Sequence, residues 1–563
     1  MAKRMSPAAA KKKADKLIHN KRPLEAQKLF AELIKTTPQD HEVWLGFGLA
    51  AIQTGKGAEG EAALRRTLEL RPDSLPAYAA LAALLIEQKR NHEAEAVSQI
   101  HIKFDANDTQ AQCRLGLALN RQGKFVEAHE VLSKALPLKE RHDADFYVQY
   151  GLALLNLGLL DDAHTYLEKA LKLQPDNPDV YIQQAALHKA QNEFELARQC
   201  YEKNYQLQPD NKAAFLSELA ALSECEGDYT KALAILDDAV SEFPNVVDIH
   251  WRRAAALLLN SRLQEGWAEY ESRLAHPAWL AAMGKCEFSK PRWDGSDLNR
   301  KTILVYTEQG FGDAIQFSRY LYLLHEQGAC IIFYCDKELL PLFSGLDILE
   351  RVEPKSYQKA QAEVFDFHVA LMSLPHLLNT TLETIPEPLQ KLNVAEEKTR
   401  YWRKQLANVD GLKVGLVWAG RPTHLFDRRR SCHIEQLHEL FDVQGVQFVS
   451  LQKGPAVEQL DALRSDNVLE LGSQMNDFSD TAAVIKNLDL LISVDTAVVH
   501  LSGTLGCPTW NLVYHPAEWR WLLDRDDSPW YPAIKLFRQG CVDTWPDVIR
   551  RVADTLRQRV GDS

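Results

Sequence analysis

The sequence predicts an α-helical repeat array followed by an α/β region, and two observations carry this prediction. Prolines recur at intervals of 34 or 35 residues in parts of the first half of the chain. From Thr302 onward, short apolar runs of the kind that form buried strands alternate with helical segments. Because 563 residues are too many for a single core, two or three domains are expected.

The recurring prolines close a repeated pattern of small and large apolar residues. Pro38 and Pro72 are 34 residues apart, as are Pro175 and Pro209, and Pro244 follows 35 residues later. Counting back from four of these prolines, position 12 is alanine and position 8 is a larger apolar residue: Ala26 and Phe30, Ala163 and Leu167, Ala197 and Tyr201, Ala232 and Leu236. This is the tetratricopeptide-repeat (TPR) signature, in which alanines let two antiparallel helices approach and proline ends the second helix.

The repeats extend through about half of the chain. Two units between the clear ones are degenerate, and dividing the span by the period gives about seven or eight helix pairs. Residues 248–274 are expected to form a last helical unit that caps the array. We therefore place a TPR solenoid at residues 1–275.

A solenoid of this kind has a concave groove whose usual task is to hold an extended peptide or another protein. It has no chemistry of its own. The alternative is an arm for dimerisation or scaffolding, so an oligomer is also compatible with the sequence.

A linker and two lobes are predicted after the solenoid. The repeat pattern stops in residues 276–300, and apolar strands are then expected at 303–306, 330–334, 414–418, 448–451, 488–494, 510–513 and 534–537. Strands that alternate with helices predict parallel sheets with right-handed crossovers. Because two prolines interrupt residues 385–388, we divide the region into Rossmann-like lobes at 301–395 and 396–563, with a ligand cleft between them.

Composition excludes several classes of partner and location. A net charge of −12 argues against nucleic acid or an anionic membrane as the main partner. Nine cysteines without a CxxC pair suit a reducing compartment. The basic N-terminus lacks the apolar run of a signal peptide, and nowhere do about 18 apolar residues follow one another. We therefore predict a cytoplasmic protein without membrane insertion.

The turn at Asp495 and Thr496 is a candidate phosphate site. It follows an unbroken apolar strand and opens a helix, where unpaired backbone N–H groups and the helix dipole attract anions. A carboxylate repels a diphosphate, so Asp495 should contact sugar hydroxyls or cap the helix. His500 shares a helix face with Thr496. A lone histidine of this kind is more often structural.

In the first lobe, Asp313 is a candidate general base. It follows the predicted strand 303–306 at the start of a helix, after Gly310 and Gly312, which permit a tight turn and close approach of the backbone to a ligand. A carboxylate here could take the proton from an acceptor hydroxyl. The alternative is a helix N-cap, and one residue can do both.

Basic residues after glycine turns are candidate phosphate ligands in the second lobe. Gly420 precedes Arg428, Arg429 and Arg430, whose guanidinium groups suit a diphosphate. Such a run is more often a solvated surface, and successive residues cannot all point one way. Gln452 and Lys453 follow another predicted strand, where the lysine is either a phosphate contact or a solvated loop residue.

Two acidic motifs bear on metal binding. Asp143 and Asp145 fit a DxD pattern but lie in the repeat array, and the acidic residues of 524–527 lie nearer the predicted donor site. Neither is a compelling metal site, and no metal cofactor is expected. The aromatic residues of 519–521 and 528–532 are expected mainly to pack in the core.

Six motifs together resemble a known family. They are EQGFGD at 308–313, GLVWAG at 415–420, DRRRS at 427–431, SLQKG at 450–454, SVDTAVVHL at 493–501 and WRWLL at 519–523. Residues 291–539 thereby resemble the transferase part of bacterial TPR protein glycosyltransferases, which are similar to the lipopolysaccharide heptosyltransferases. With the repeats, the resemblance covers nearly the whole chain.

The resemblance implies a GT-B fold and transfer of a sugar from a nucleotide sugar, with inversion and without a metal. It implies that Asp313 is the catalytic base and that Asp495, Thr496 and His500 contact the donor. Ala497 stands where the heptosyltransferases usually carry glycine, and its methyl group could narrow the donor site, so the resemblance leaves the donor sugar open. Some relatives with this architecture modify flagellin, which makes flagellin or another cell-surface protein an expected acceptor.

We therefore predict a protein glycosyltransferase whose solenoid presents the acceptor and whose cleft holds the nucleotide sugar. The predicted donor-binding residues are Gly310, Gly312, Gly420, Arg428, Arg429, Arg430, Gln452, Lys453, Asp495, Thr496 and His500. The alternatives are a non-catalytic TPR scaffold whose lobes only bind a nucleotide sugar, and a lipopolysaccharide glycosyltransferase.

Overall fold

The computed structural model describes residues 6–138, 142–277, 279–280, 288–389, 391–407, 411–422, 427–463, 467–541 and 544–561. Part of the predicted linker, residues 281–287, lies outside this set. So do residues 423–426 of the loop that precedes the arginine run.

The repeat region is a series of antiparallel helix pairs. Its described residues form sixteen α-helices: α1 (Pro7–His19), α2 (Pro23–Thr36), α3 (His41–Gln53), α4 (Gly57–Leu70), α5 (Leu75–Glu87), α6 (Asn91–Phe104), α7 (Thr109–Asn120), α8 (Phe125–Ala135), α9 (Ala144–Asn156), α10 (Leu160–Leu173), α11 (Pro178–Ala190), α12 (Phe194–Leu207), α13 (Lys212–Cys225), α14 (Tyr229–Glu242), α15 (Val247–Leu259) and α16 (Leu263–Tyr270). This agrees with the predicted seven or eight pairs.

The repeated small and large residues form the contacts between paired helices. Ala163, Leu167 and Ala170 of α10 are completely buried. A Cβ atom on Gly151 of α9 would lie 2.7 Å from Leu167 Cδ2, so only glycine allows this pair to pack so closely. Asp143, half of the DxD pattern, accepts a hydrogen bond from the Phe146 N–H and caps α9 (2.9 Å).

The α/β region contains two parallel sheets. The first has strand order β3-β2-β1-β4, formed by β1 (Thr302–Tyr306), β2 (Cys330–Cys335), β3 (Arg351–Pro354) and β4 (Phe367–Ala370). The second has strand order β10-β9-β8-β5-β6-β7, formed by β5 (Leu412–Val417), β6 (Val446–Ser450), β7 (Val468–Glu470), β8 (Leu490–Val494), β9 (Thr509–Val513) and β10 (Ile534–Arg538).

Helices follow most of the strands. The described α-helices of this region are Phe311–Phe317, Tyr320–Glu326, Leu340–Phe343, Tyr357–Gln361, Leu374–Leu377, Glu396–Gln405, Asp427–Arg430, His438–Phe441, Phe478–Ile485, Ala497–Thr504 and Trp545–Gly561. The predicted fold class, a TPR solenoid followed by a GT-B-like pair of Rossmann-like lobes, is confirmed.

Three strands were missed by the sequence prediction. Strands β3 and β7 lie at sheet edges and are only partly buried, so neither has the continuous apolar run that identified the others. Strand β4 is four residues long and contains His368. These strands are stabilised mainly by packing against the rest of the sheet, so their own sequences show only a weak strand pattern.

The boundary between the two compact units of the chain differs from the boundary between the helical repeats and the sheets. The chain forms one compact unit up to Leu187 and a second from His188, and this boundary falls within α11. The change from helices to strands comes later, between Ala275 and Thr302. The last repeats therefore belong to the same compact unit as both sheets.

The last repeat unit, formed by α15 and α16, packs against the α/β region. Trp267 of α16 is buried, and its ring meets the rings of Phe317 and Trp519 edge-on, with centroids 5.7 and 5.2 Å away. Terminal repeats usually present a polar outer face. Here that face is apolar because it packs in the core of the α/β region.

None of the helices in the described residues is both long enough and apolar enough to cross a membrane.

Candidate functional site

Several of the predicted site residues follow strands at a switch point, where neighbouring strands of a sheet lead into connections that run in opposite directions. In the first sheet this switch point lies between β1 and β4, and in the second between β5 and β8. Ligands of open α/β sheets bind outside the carboxyl ends of strands at such points. Asp313 follows β1, Gly420 follows β5, and Asp495 and Thr496 follow β8.

Two helices bring these positions together. The Asp313 helix (Phe311–Phe317) packs against the Thr496 helix (Ala497–Thr504). A Cβ atom on Gly312 would lie 2.8 Å from His500 Cδ2 and 3.5 Å from Ala497 Cα. Gly312 is therefore required for the close approach of the two lobes.

Asp313 caps its helix and also pairs with an arginine of the second lobe. Its Oδ2 accepts the Gly310 N–H (2.8 Å), and its Oδ1 forms an ion pair with Arg520 Nη2. The side chain keeps 20% of its exposure. The cap and a reactive role remain compatible, because the carboxylate is not sealed from solvent.

Arg520 joins the two lobes at this point. Its Nε donates to Gln316 Oε1 of the Asp313 helix (2.8 Å), and its Nη1 pairs with Glu518. The guanidinium also lies over the ring of Trp519, 4.0 Å from the centroid. The sequence prediction noted 519–521 for its aromatic residues and overlooked the arginine between them.

Glu518 is a second carboxylate that the sequence prediction missed. Its Oε2 accepts the Arg520 N–H (2.9 Å), so the residue also caps the short turn Trp519–Trp521. Burial raises the pKa of Glu518 to about 7; Arg520 opposes this shift, whereas Asp495 and Asp313 reinforce it. Glu518 therefore changes its charge near neutral pH.

The Asp495 turn lies beside these groups. Asp495 is half-buried, and burial raises its pKa although Arg520 and Arg430 favour the ionised form. The Thr496 hydroxyl forms no capping bond to its helix in the described structure and lies 3.3 Å from Ser493 Oγ. The helix N-terminus thus starts beside two guanidinium groups.

His500 is packed between the two lobes. Its ring stacks on Trp521 with centroids 5.5 Å apart, and its Nδ1 lies 3.1 Å from the Tyr531 hydroxyl. Burial lowers the pKa of His500 well below its usual value, so the imidazole is neutral. These contacts agree with the structural alternative, and donor binding by His500 stays a prediction.

Arg430 and Arg429, two of the three successive arginines, have different partners. Arg430 Nε donates to Asp427 (3.0 Å), its Nη1 donates to the Asp495 carbonyl (3.4 Å), and the guanidinium lies against Gly420. A side chain at Gly420 would occupy the space that Arg430 fills. Arg430 is thus the member of the run at the switch point.

Arg429 is oriented toward the repeats. It forms a hydrogen bond with Cys225 at the end of α13. Burial raises the pKa of the neighbouring Glu224, and the positive charge of Arg429 is one of those that oppose this rise. Arg428 has contacts of its own. The roles of both residues in donor binding remain predictions.

Gln452 holds the loop after β5. Its Oε1 accepts the N–H groups of Trp418 (3.1 Å) and Ala419 (2.9 Å), and its Nε2 donates to the carbonyls of Ala419 (3.0 Å) and Lys453 (2.8 Å). The buried amide therefore positions backbone. Lys453 is exposed, and its Nζ donates to the Met475 carbonyl (2.5 Å).

The last repeat contributes a buried cation to the first lobe. Arg273 is completely buried, and its Nη2 pairs with Glu308 Oε1 (2.7 Å) and donates to Ser373 Oγ (2.8 Å). Gln309 Nε2 donates to the Tyr270 hydroxyl (2.8 Å). Glu308 and Gln309 begin the loop that ends in Asp313, so the end of the repeat array fixes this loop.

Within the described residues, no group of three or more His, Cys, Asp or Glu side chains is arranged to hold a metal ion. In the acidic segment 524–527, Arg525 forms two hydrogen bonds with Asp527, at 2.6 and 2.7 Å. Metal-independent chemistry stays a prediction.

Comparisons with known proteins identify the repeats. Descriptions of the tetratricopeptide-repeat families match residues 17–85, 144–187, 178–211 and 226–282. The chain is also similar to Protein FlbA of Caulobacter vibrioides, with 26% identity over 560 residues that cover 95% of this chain and 87% of FlbA.

Two solved structures are each similar to part of the chain. A tetratricopeptide repeat protein from Parabacteroides merdae is 14% identical, with a TM-score of 0.38, and covers 45% of this chain and 98% of its own. A glycosyl transferase family 9 protein from Veillonella parvula is 12% identical, with a TM-score of 0.37, and covers 48% of this chain and 100% of its own.

The buried pair of Arg273 and Glu308 should be important for stability. We expect Arg273→Met to lower the free energy of unfolding by about 3–5 kcal/mol, because it leaves the Glu308 carboxylate buried without its cation. Urea unfolding followed by tryptophan fluorescence measures this. The double variant Arg273→Met/Glu308→Gln should recover part of the lost free energy of unfolding. As a control, Arg351→Met at a more exposed ion pair should lower the free energy of unfolding by less than about 1 kcal/mol. Equal losses at both sites would contradict this account.

Glu518 should make stability depend on pH. Its folded pKa is raised from 4.5 to about 7, so the native state keeps a proton that the unfolded chain has already released between these values. Native stability should therefore fall by roughly 3 kcal/mol as pH rises from about 5 to about 8, and Glu518→Gln should remove this part of the slope. Unfolding midpoints at both pH values measure it. The exposed Glu435→Gln is the matched control and should keep the wild-type slope.

Proposed function

We propose that the chain is a protein glycosyltransferase that moves a sugar from a nucleotide-sugar donor to a hydroxyl of a protein acceptor. The α/β lobes would bind the donor and catalyse the transfer. The TPR solenoid would present the acceptor.

One observation carries this proposal. The switch points of two parallel sheets meet, one supplying a partly exposed carboxylate at Asp313 and the other supplying a helix N-terminus beside Arg430. A carboxylate that faces an anion site is the arrangement that transfer from a diphosphate needs. This arrangement supports a reaction between the lobes.

The proposed reaction is a single displacement. Asp313 takes the proton from an acceptor hydroxyl as that oxygen forms a bond to the anomeric carbon. The bond from this carbon to the donor phosphate oxygen breaks, and the nucleotide leaves with the electron pair. One displacement inverts the configuration at the anomeric carbon.

Fixed charges would stabilise the leaving group. Arg430 and the N–H groups of the Thr496 helix can hold phosphate oxygens, and Lys453 adds a cation at the end of β6. Gly420 leaves room for Arg430, and Gln452 holds the neighbouring backbone. Asp495 would contact sugar hydroxyls. In this mechanism the nucleotide sugar is a substrate, and no metal or other cofactor is needed.

The acceptor would be a protein or peptide bound in the groove of the repeats, since binding extended polypeptide is the usual task of a TPR solenoid. The resemblance found in the sequence makes flagellin one candidate acceptor. The predicted place of reaction is the cytoplasm, where nucleotide sugars are made.

A non-catalytic scaffold is a second candidate, and one observation favours it. Both oxygens of Asp313 already have partners, Gly310 N and Arg520. A general base needs an oxygen within hydrogen-bond reach of the acceptor hydroxyl, and Arg520 occupies one of the two oxygens. A scaffold of this kind would bind a nucleotide sugar and leave it intact.

Nucleotide binding and donor hydrolysis test the proposal together. We expect one of ADP, UDP, GDP or CMP to raise the melting temperature of the protein, because a ligand that binds the native state stabilises it. Thr496→Ala should weaken the binding of that nucleotide. The corresponding nucleotide sugar should be hydrolysed slowly by the wild type. Asp313→Ala should lower this rate by about 100-fold or more without losing nucleotide binding.

The controls separate the candidates. Thr165→Ala on α10 removes an exposed hydroxyl far along the sequence from the site and should leave binding unchanged. Binding without any hydrolysis or transfer would favour the scaffold. No binding of any nucleotide would contradict both candidates.

Truncation distinguishes a protein acceptor from a glycolipid acceptor. Removal of residues 1–275 is unsuitable, because it also removes Arg273 from the buried Glu308. Removal of residues 1–177 keeps α11–α16 with the sheets. We expect this shorter chain to bind nucleotide but to lose transfer to a protein acceptor. Full activity on lipopolysaccharide would instead support the glycolipid alternative, and circular dichroism would verify folding.

A further inference from the structure

Arg520 is a buried cation shared between two carboxylates. Within the described residues, its guanidinium group bonds to three side chains, those of Gln316, Glu518 and Asp313. The residue is 8% exposed. Two of these partners come from the Asp313 helix of the first lobe, and Glu518 comes from its own turn. The positive charge at the cleft is therefore already neutralised by groups of the protein.

The two carboxylates are held in different ways. Glu518 is two residues from Arg520 and also accepts its backbone N–H, so this pair moves as one piece. Asp313 is 207 residues away and belongs to the other lobe. A change at the cleft that separates Arg520 from one carboxylate will therefore separate it from Asp313.

The surroundings disfavour a dianion in this resting arrangement. Asp495 lies close enough for Arg520, Arg430 and Asp313 all to influence its pKa, and Arg430 is itself paired with Asp427. Carboxylates thus outnumber guanidinium groups around the Thr496 helix. Release of a further cation to a diphosphate would therefore strengthen its binding.

We propose that Arg520 is a positioning residue that exchanges partners: it holds Asp313 in the empty site and turns to the donor diphosphate when the donor binds. The inference rests on the proposed function. The exchange leaves Asp313 Oδ1 without its arginine partner, so this oxygen becomes available to accept a hydrogen bond from the acceptor hydroxyl. Donor binding thereby prepares the carboxylate that deprotonates the acceptor, and it does so before the acceptor hydroxyl reacts.

The exchange predicts that removing the charge of Asp313 strengthens the binding of a diphosphate. Asp313→Asn keeps an oxygen for the helix cap but no charge to compete for Arg520. Inorganic pyrophosphate, used as a probe for the diphosphate, should bind this variant about fivefold or more tightly than it binds the wild type. Arg520→Gln should bind it about tenfold more weakly than the wild type. Isothermal titration calorimetry of the full-length proteins at one neutral pH measures both effects.

Two further variants separate partner exchange from a general effect of charge. Glu363→Gln removes one carboxylate of an arginine pair elsewhere in the first lobe and should leave the affinity unchanged. In the double variant Asp313→Asn/Arg520→Gln, the gain from Asp313→Asn should disappear. Arg520→Lys, which keeps the charge, replaces Arg520→Gln if circular dichroism shows that the latter is unfolded.

Each remaining outcome decides the question. Equal or weaker binding to Asp313→Asn overturns the exchange, and so does a gain that persists without Arg520. If a nucleotide binds the wild type but Asp313→Asn binds pyrophosphate no more tightly, only the exchange fails. If pyrophosphate binds as expected but no nucleotide sugar is hydrolysed or transferred, the exchange stands and the transferase function fails.

Discussion

The absent side chain at Gly312 sets the geometry on which the site depends. It lets the Asp313 helix lie against the Thr496 helix, with His500 packed between them. At this separation, Arg520 of the second lobe reaches both Gln316 and Asp313 of the first. A larger residue would push the lobes apart and separate two switch points that lie close together only because the helices touch. The glycine at the centre of the second-lobe loop, Gly420, acts in the same way on a smaller scale by leaving space for the guanidinium of Arg430.

Buried arginines perform two different tasks around this contact. Arg273 is completely buried between Glu308 and Ser373, and it fastens the loop after β1 to the loop after β4. It compensates a carboxylate that burial would otherwise leave uncharged or strongly destabilising. Arg520 is shared between two carboxylates beside a cleft, and the side chains of both, Asp313 and Glu518, keep 20% and 21% of their exposure. The first arrangement supports a rigid framework, whereas the second leaves a cation whose partner can change.

The sequence alone could predict the features that have a local pattern. Repeated alanines and prolines predicted the helix pairs, and unbroken apolar runs predicted seven of the ten strands in the described chain. The position of Asp313 at a helix start was also predictable from its strand and glycines. Pairs formed across the fold were not: Arg273 meets Glu308 over 35 residues, and Arg520 meets Asp313 over 207. A WRW segment predicts packing of aromatic residues, and only the structure shows which carboxylates surround the arginine between them.

The boundary within α11 has a consequence for how such a chain can change over time. Repeats before Leu187 belong to their own compact unit, so a helix pair gained or lost there leaves the loop that carries Asp313 untouched. The same event after His188 would move Tyr270 and Arg273 away from Gln309 and Glu308. We therefore expect the number of repeats in the first unit to vary among homologues. The last repeats should be conserved together with the two sheets.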